Sequence, residues 1–409
     1  MSDEFQALQN QWTQSSTEIL AYLNRWVPVV DVPIYSSVDI RESAHKMASI
    51  DTNLFPAGFN NLCKEELPKS AEIFKDLVKS AVDGVQRIIL ITEAHTRNLG
   101  YHQNIQALSK IIENAGFDLD LAAFFEPELG DLDIESPARK IRNISNWEPS
   151  DFDGYDLIIL NYDMSDGIPG VLESVKAPIY PKLNCGWHNR SKATHFRQLN
   201  RLIDAVSRRF SPDHDPWFLQ TQFAFCPNVS VHEQADRERL AQRATELFQS
   251  VQAKYDEYGI TDAPLLFLKA DAGTYGMGVM PIESPEDILS FNRKARNKLS
   301  KTKKPEPVTD FILQEGIPSI PDPSGAKELV LYQLGLSYVG SFFRMHPDKD
   351  HRANLNAKGM QFTSICEESN PSLPMAKLLG VAAAVASYYE IHEDDWETHH
   401  LAAEGSAVS

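Results

Sequence analysis

Residues 266–279, LFLKADAGTYGMGV, hold the densest chemistry in the chain. An apolar run carries Lys269, and a loop with Gly273, Tyr275, Gly276 and Gly278 leads straight into a second apolar run at 279–282. Glycines at this density let backbone N–H groups approach phosphate oxygens unobstructed. Lys269 adds a compact positive charge for the same phosphates. The loop is not a P-loop, because no Gly-Lys-Ser/Thr follows the last glycine. Nor is it a dinucleotide fingerprint, because the spacing is GxxGxG and no helix begins there. The pattern predicts a hairpin over a polyphosphate, and a glycine-rich turn without ligand stays open on these residues alone.

More polar groups follow in order. Residues 311–317 (FILQEGI) predict a strand ending in Gln314 and Glu315, which suit an adenine edge. Glu328 opens a strand over 328–334, and 339–345 (VGSFFRM) places Arg344 in another. Asn354 and Asn356 are two apart, so an extended chain points both amides to one face. Two amide oxygens, a carboxylate, phosphate oxygens and water suit magnesium, which takes oxygen ligands and few from protein. For the asparagine pair alone, a hydrogen-bonded turn is the favoured explanation.

Three polar clusters follow apolar strands in the first half, where open α/β sheets bind ligands. Glu93, His95, Arg97 and Asn98 follow RIILIT (87–92), and Asn161, Asp163 and Asp166 follow DLIIL (156–160). Asn184, His188, Arg190 and Lys192 follow 177–180. Together they offer cations for an amino-acid carboxylate and acids for its ammonium. Capping and loop chemistry accounts for any one of them alone. Cys185 and His188, three apart after a strand, form no recognised nucleophile pair.

The elements that must position these groups show an α/β rhythm. An amphipathic helix with Leu8, Trp12, Ile19, Leu20, Leu23 and Trp26 fills the first 30 residues. A helix carrying Ile73, Phe74, Leu77, Val78 and Val82 ends at Gly84, and one carrying Ile105, Leu108, Ile111 and Ile112 ends at Gly116. Strands are expected at 87–92, 117–125 and 156–160, so a parallel sheet covered on both faces is implied. A long helix over 232–257 precedes a strand-rich block from 264 to about 364, interrupted by one helix near 285–301. Residues 371–390 predict a closing helix.

Length and charge bound the function. The chain has 409 residues and a net charge of −18, from 39 basic and 57 acidic residues. Such a surface repels phosphate backbones and anionic lipid, so neither nucleic acid nor membrane is an expected partner. Seven basic residues cluster at 293–304, an island without interleaved aromatics that reads as a solvated helix end. Four cysteines, Cys63, Cys185, Cys226 and Cys366, are scattered without a CxxC, which excludes a zinc ribbon or disulfide scaffold and suits a reducing cytosol. The start lacks a signal pattern, and a cytoplasmic enzyme is expected.

The order of strand, lysine, glycine loop, strand, helix, Gln-Glu strand, acidic strand, arginine strand and Asn-x-Asn resembles the ATP-grasp ligases, with a glutathione-synthetase-like layout. With residues 51–62 (DTNLFPAGFNNL), it resembles more closely the proteobacterial glutamate–cysteine ligase family over nearly the whole chain. The resemblance implies an α/β protein: a Rossmann-like parallel-sheet substrate domain over 1–200, an ATP-grasp domain over 201–390, and a flexible tail over 391–409. It implies that ATP phosphorylates the side-chain carboxylate of glutamate and that cysteine's amine attacks the acyl phosphate.

On that resemblance Lys269, Gly273, Tyr275, Gly276, Gly278, Gln314 and Glu315 bind ATP. Glu328, Asn354 and Asn356 hold Mg2+, while Arg344 and Arg352 neutralise charge during transfer. Asn53, Asn60, Glu93, His95, Arg97, Asn98, Asn184, Arg190 and Lys192 face the amino acids. One departure concerns the metal: the usual glutamate two residues before the asparagine is Asn354 here, so ligation leans on Glu328 or Asp350. Another amino-acid or peptide ligase, or a non-catalytic ATP-binding regulatory module, also fits this order, and a homo-oligomer is left open.

Overall fold

The computed structural model describes residues 3–28, 31–94, 98–126, 132–134, 139–273, 278–300, 308–320, 325–357, 359–366 and 370–392. The leading amphipathic stretch is two helices, α1 (Asp3–Gln14) and α2 (Ser16–Asn24), which bury Phe5, Leu8, Trp12, Ile19 and Leu23. Two antiparallel strands follow, β1 (Tyr35–Glu42) and β2 (Met47–Asn53). Hydropathy does not announce them. In β1, Val38 and Ile40 enter the main core, whereas the alternating Ser37, Asp39 and Arg41 turn a polar face into cavities rather than to solvent.

The expected parallel unit comes next. Helices α3 (Leu67–Ala81) and α4 (Leu99–Asn114) alternate with β3 (Arg87–Thr92), β4 (Asp118–Ala123), β5 (Leu132–Ile134), β6 (Arg139–Asn143), β7 (Leu157–Asn161) and β8 (Ile179–Tyr180). The strand order is β5-β6-β4-β3-β7-β8, parallel except for the β5–β6 pair. In β3, Ile88 and Leu90 pack into one core, and Ile89 and Ile91 into another, so both faces are covered. Gly84 and Gly116 end the helices with φ of 71° and 94°, a left-handed conformation that glycine takes without steric cost.

Helix α5 (Lys192–Phe210) leads into a four-stranded antiparallel sheet. Its members are β9 (Phe223–Cys226), β10 (Leu266–Ala270), β11 (Met280–Ile282) and β12 (Phe311–Glu315), ordered β11-β10-β12-β9. Helix α6 (Gln234–Glu257) packs against it. The single helix expected near 285–301 is two, α7 (Pro285–Leu289) and α8 (Arg293–Leu299). The break arises because Asn292 caps a new start, accepting from the Ala295 amide at 2.9 Å.

A five-stranded antiparallel sheet, β15-β14-β13-β1-β2, completes the molecule with β13 (Ala326–Leu334), β14 (Ser337–His346) and β15 (Gln361–Ile365). The division expected at residue 200 runs through this sheet, because β1 pairs along its length with β13. Helix α9 (Leu373–His392) packs against α5, β1, β2 and β13, and residues 393–409 of the expected tail lie outside the described residues. Cys63 and Cys366, 303 residues apart, form a disulfide that their spacing concealed, while Cys185 and Cys226 are free and buried. No described helix is long and apolar enough to cross a membrane.

Candidate active site

The two antiparallel sheets enclose a cavity. From the four-stranded sheet come Lys269 and Gln314, and from the five-stranded sheet Asp39, Asp51, Glu328 and Arg344. Lys269 donates to the Ile50 carbonyl at 2.9 Å, joining β10 to β2. Burial lowers its pKa to about 8, opposed mainly by the charge of Asp51. Gly273 lines the same cavity, and its carbonyl accepts from Lys192 Nζ at 2.9 Å. Tyr275 and Gly276 lie outside the described residues. Gly278 takes φ of 72° beside the 298–299 backbone.

Gln314 and Glu315 have different fates. Gln314 is 1% exposed, and neither its amide nitrogen nor its oxygen has a hydrogen-bond partner. Leaving such a group buried and unpaired costs about 1–3 kcal/mol, so the amide is set for a ligand. The Glu315 carboxylate is committed instead to Lys46 at 2.7 Å and to the Gln222 amide at 2.9 Å. These bonds tie β12 to the segments before β2 and β9, and Glu315 lines the cavity beside Gln314.

Glu328 and Arg344 sit opposite each other across β13 and β14, and their side chains are in contact. Arg344 also reaches Asp39 at 2.7 Å, and Arg41 reaches Glu328 at 2.9 Å. Burial favours the protonated form of Glu328, but the two arginine charges outweigh it and depress its pKa. Asp39 is raised to about 6, chiefly by burial, with Arg344 opposing. The protein around Asp51 disfavours its charge, yet Lys192, Lys269 and Arg190 hold its pKa below the usual range.

Asn354 and Asn356 both line this cavity, with Leu355 between them buried in the opposite direction. Asn354 Oδ1 accepts from the Asn356 amide at 3.0 Å, so it shapes the turn that presents Asn356. Asp350, the other candidate for the metal, is exposed, accepts from the Arg352 amide and lines neither cavity described here.

A second cavity of about 410 Å³ adjoins the first. Asp39, Asp51, Arg344 and Asn356 line both. Asn53, Asn60 and Asn98 line the second cavity, with Tyr101, Tyr332 and Phe342. Gly58 permits this wall to form: a β-carbon there would lie 2.5 Å from the Tyr332 hydroxyl.

The sequence profile of the glutamate-cysteine ligase family matches residues 9–391. The chain belongs to that family. It is therefore an ATP-dependent carbon–nitrogen ligase. A crystal structure from Methylobacillus flagellatus KT, provisionally assigned as a gamma-glutamylcysteine synthetase, is 30% identical with a TM-score of 0.86. The alignment covers 96% of this chain and 97% of that one. A D-alanyl-alanine synthetase A from Vibrio cholerae aligns at 11% identity and TM-score 0.32, over 71% and 78% of the two chains. A glutathione synthetase-like effector from Globodera pallida gives 8% and 0.34, over 84% and 81%. These two similarities carry no argument. No curated protein matches the chain.

Of the remaining expected site residues of this ligase, Lys192 lines the first cavity and the other described ones line neither cavity. Arg352 donates to the carbonyls of Ala263 and Pro264 at 2.9 and 3.3 Å, outside the cavity lining. Arg190 is buried against Glu390, with Nη2 to Oε2 at 2.8 Å, and donates to the Thr52 carbonyl at 2.8 Å. Glu93 is buried and accepts from the Asp163 amide. The Asn184 carbonyl accepts from Asn189 at 3.0 Å, while Lys192 reaches the first cavity beside Asp51. His95 and Arg97 fall outside the described residues. Asp39, Arg41 and Asp51 are the charged lining residues that motif spacing does not single out. Their signal is the alternation in YSSVDIRE and MASIDTN, which resembles a surface strand.

Proposed function

We propose that the protein joins the side-chain carboxylate of glutamate to the amine of cysteine at the expense of ATP. The product is γ-glutamylcysteine, made in the first step of glutathione biosynthesis. The observation that carries this reading is the meeting of the two cavities at Asp39, Asp51, Arg344 and Asn356. One cavity suits a nucleotide, the other an amino acid, and charge is concentrated where phosphate and carboxylate would meet.

In this reading the adenine edge takes the Gln314 amide, which offers one donor face and one acceptor as adenine requires. The phosphates extend toward Lys269 and the backbone at Gly273. The oxygen donors Glu328 and Asn356, with Asn354 orienting the latter, fit magnesium better than a softer metal. Magnesium bound there supplies charge neutralisation on the phosphates.

The glutamate side-chain carboxylate attacks the γ-phosphorus, the bond to the bridging oxygen breaks, and ADP departs with that electron pair. Arg344 lies at the cavity junction to offset charge on the transferring group. Cysteine's deprotonated amine then attacks the acyl carbon, and the carbon–oxygen bond to phosphate breaks. Tyr332 and Phe342 limit water beside the reactive acyl phosphate. A cytoplasmic setting accords with such metabolism.

ADP release with single amino acids and with all pairs tests the reading. Release that requires glutamate and cysteine together supports it. Release with a different pair moves the chain to another amino-acid ligase, and no release with ATP bound favours a regulatory module.

A further inference from the structure

Arg41 belongs to none of the motifs that motif spacing singles out, yet it is one of the most heavily engaged side chains at the site. It is 3% exposed. Nε donates to Glu328 Oε2 at 2.9 Å, and Nη2 to the Ala353 carbonyl at 2.7 Å. Nη1 lies 3.4 Å from the carbonyls of Ile317 and His351. One planar group thus touches a carboxylate on β13, the backbone just beyond β12, and the irregular segment immediately preceding Asn354.

We infer that Arg41 is a positioning residue that fixes the Asn354–Asn356 turn against Glu328, so that their oxygens converge on one cation. This rests on the proposed metal reading. An ion pair serving only to neutralise Glu328 would need one of these contacts. The carbonyls of Ala353 and His351 flank the arc entering the asparagine turn, and Arg352 pins the same arc from the other side through Ala263 and Pro264. Asn354 then passes that register to Asn356 through its Oδ1. Only a rigid fork can serve a carboxylate and a separate carbonyl in one geometry; an ammonium keeps the charge and loses the fork.

Arg41→Lys is the informative change, with Asn356→Ala as the reference for the metal reading. Manganese would serve as the probe, its free concentration read by electron paramagnetic resonance with enzyme and a non-hydrolysable ATP analogue. Arg41→Lys should weaken manganese binding about tenfold, a larger loss than in analogue affinity measured without metal, and Arg41→Gln supplies the same test if lysine impairs folding. Weakened binding in both Asn356→Ala and an Arg41 variant supports the inference. Normal binding in the Arg41 variant but weak binding in Asn356→Ala overturns the positioning role alone. Normal binding in Asn356→Ala overturns the metal reading itself. An Arg41 variant that merely melts earlier, with unchanged manganese affinity, is structural and contradicts the inference.

Discussion

Asp39 and Asp51 face each other across the β1–β2 ladder, and each is met by a different cation, Arg344 at 2.7 Å and Lys192 at 3.3 Å. Two acids directly opposite are normally unfavourable in a sheet. Here the cations offset the repulsion and leave charge of both signs at the junction of the two cavities.

That balance sets a pH dependence. Lys269 is charged below its pKa of about 8 and neutral above it, so kcat/KM for ATP should fall as pH rises through about 8. Because Asp51 raises the Lys269 pKa, Asp51→Asn should move this alkaline limb to lower pH. Lys46, also lowered to about 8 by burial, is the competing source. Lys269→Arg stays protonated and should abolish the limb; a limb unchanged in that variant would assign it to Lys46.

Gln314→Ala should raise KM for ATP by roughly tenfold, the scale of one bidentate base contact, with kcat much less affected. Melting temperature should hold or rise, because the change removes a buried amide that has no partner. Unchanged ATP affinity in the folded variant would move the adenine away from β12.

How far the sequence carried this architecture depends on which way each polar face points. The apolar strand RIILIT and the glycine-ended helices were legible because their hydropathy and caps act locally. Lys269, Gly273, Gln314, Arg344 and Asn356 were legible from type and spacing, and they line one cavity. Strands β1 and β2 were hidden because Asp39, Arg41 and Asp51 turn charge toward the cavities, where partners of opposite charge, distant in the sequence, offset the cost. The ion pairs of Arg190 and Glu315 were hidden for a related reason. Their partners, Glu390 and Lys46, lie 200 and 269 residues away in the chain.

The Arg190–Glu390 pair should matter for stability. Burial favours protonated Glu390, but the charge of Arg190 and the His195 hydrogen bond win and bring its pKa to about 2. A depressed acid contributes stability above its unfolded pKa, and that contribution is lost as pH falls from about 4.5 toward 2. Glu390→Gln should cost about 3 kcal/mol at neutral pH and flatten the acid limb of stability. Urea unfolding at pH 7 and pH 3 measures both effects, and equal losses at the two values would contradict the assignment.

The Cys63–Cys366 bridge closes a loop spanning a separation of 303 residues. Cys63→Ser should lower stability by about 2–4 kcal/mol in non-reducing buffer and by little once reductant is present. A variant equally destabilised under both conditions would show that packing at Cys63, rather than the bridge, supplies the stabilisation.

The central claim is that ATP phosphorylates the side-chain carboxylate of glutamate before cysteine's amine attacks. Glutamate labelled with 18O in both side-chain carboxylate oxygens, turned over with ATP and cysteine, tests it most directly by mass spectrometry of the released phosphate. The account predicts one 18O atom in each phosphate and one retained in the new amide. Unlabelled phosphate accompanying γ-glutamylcysteine would contradict it.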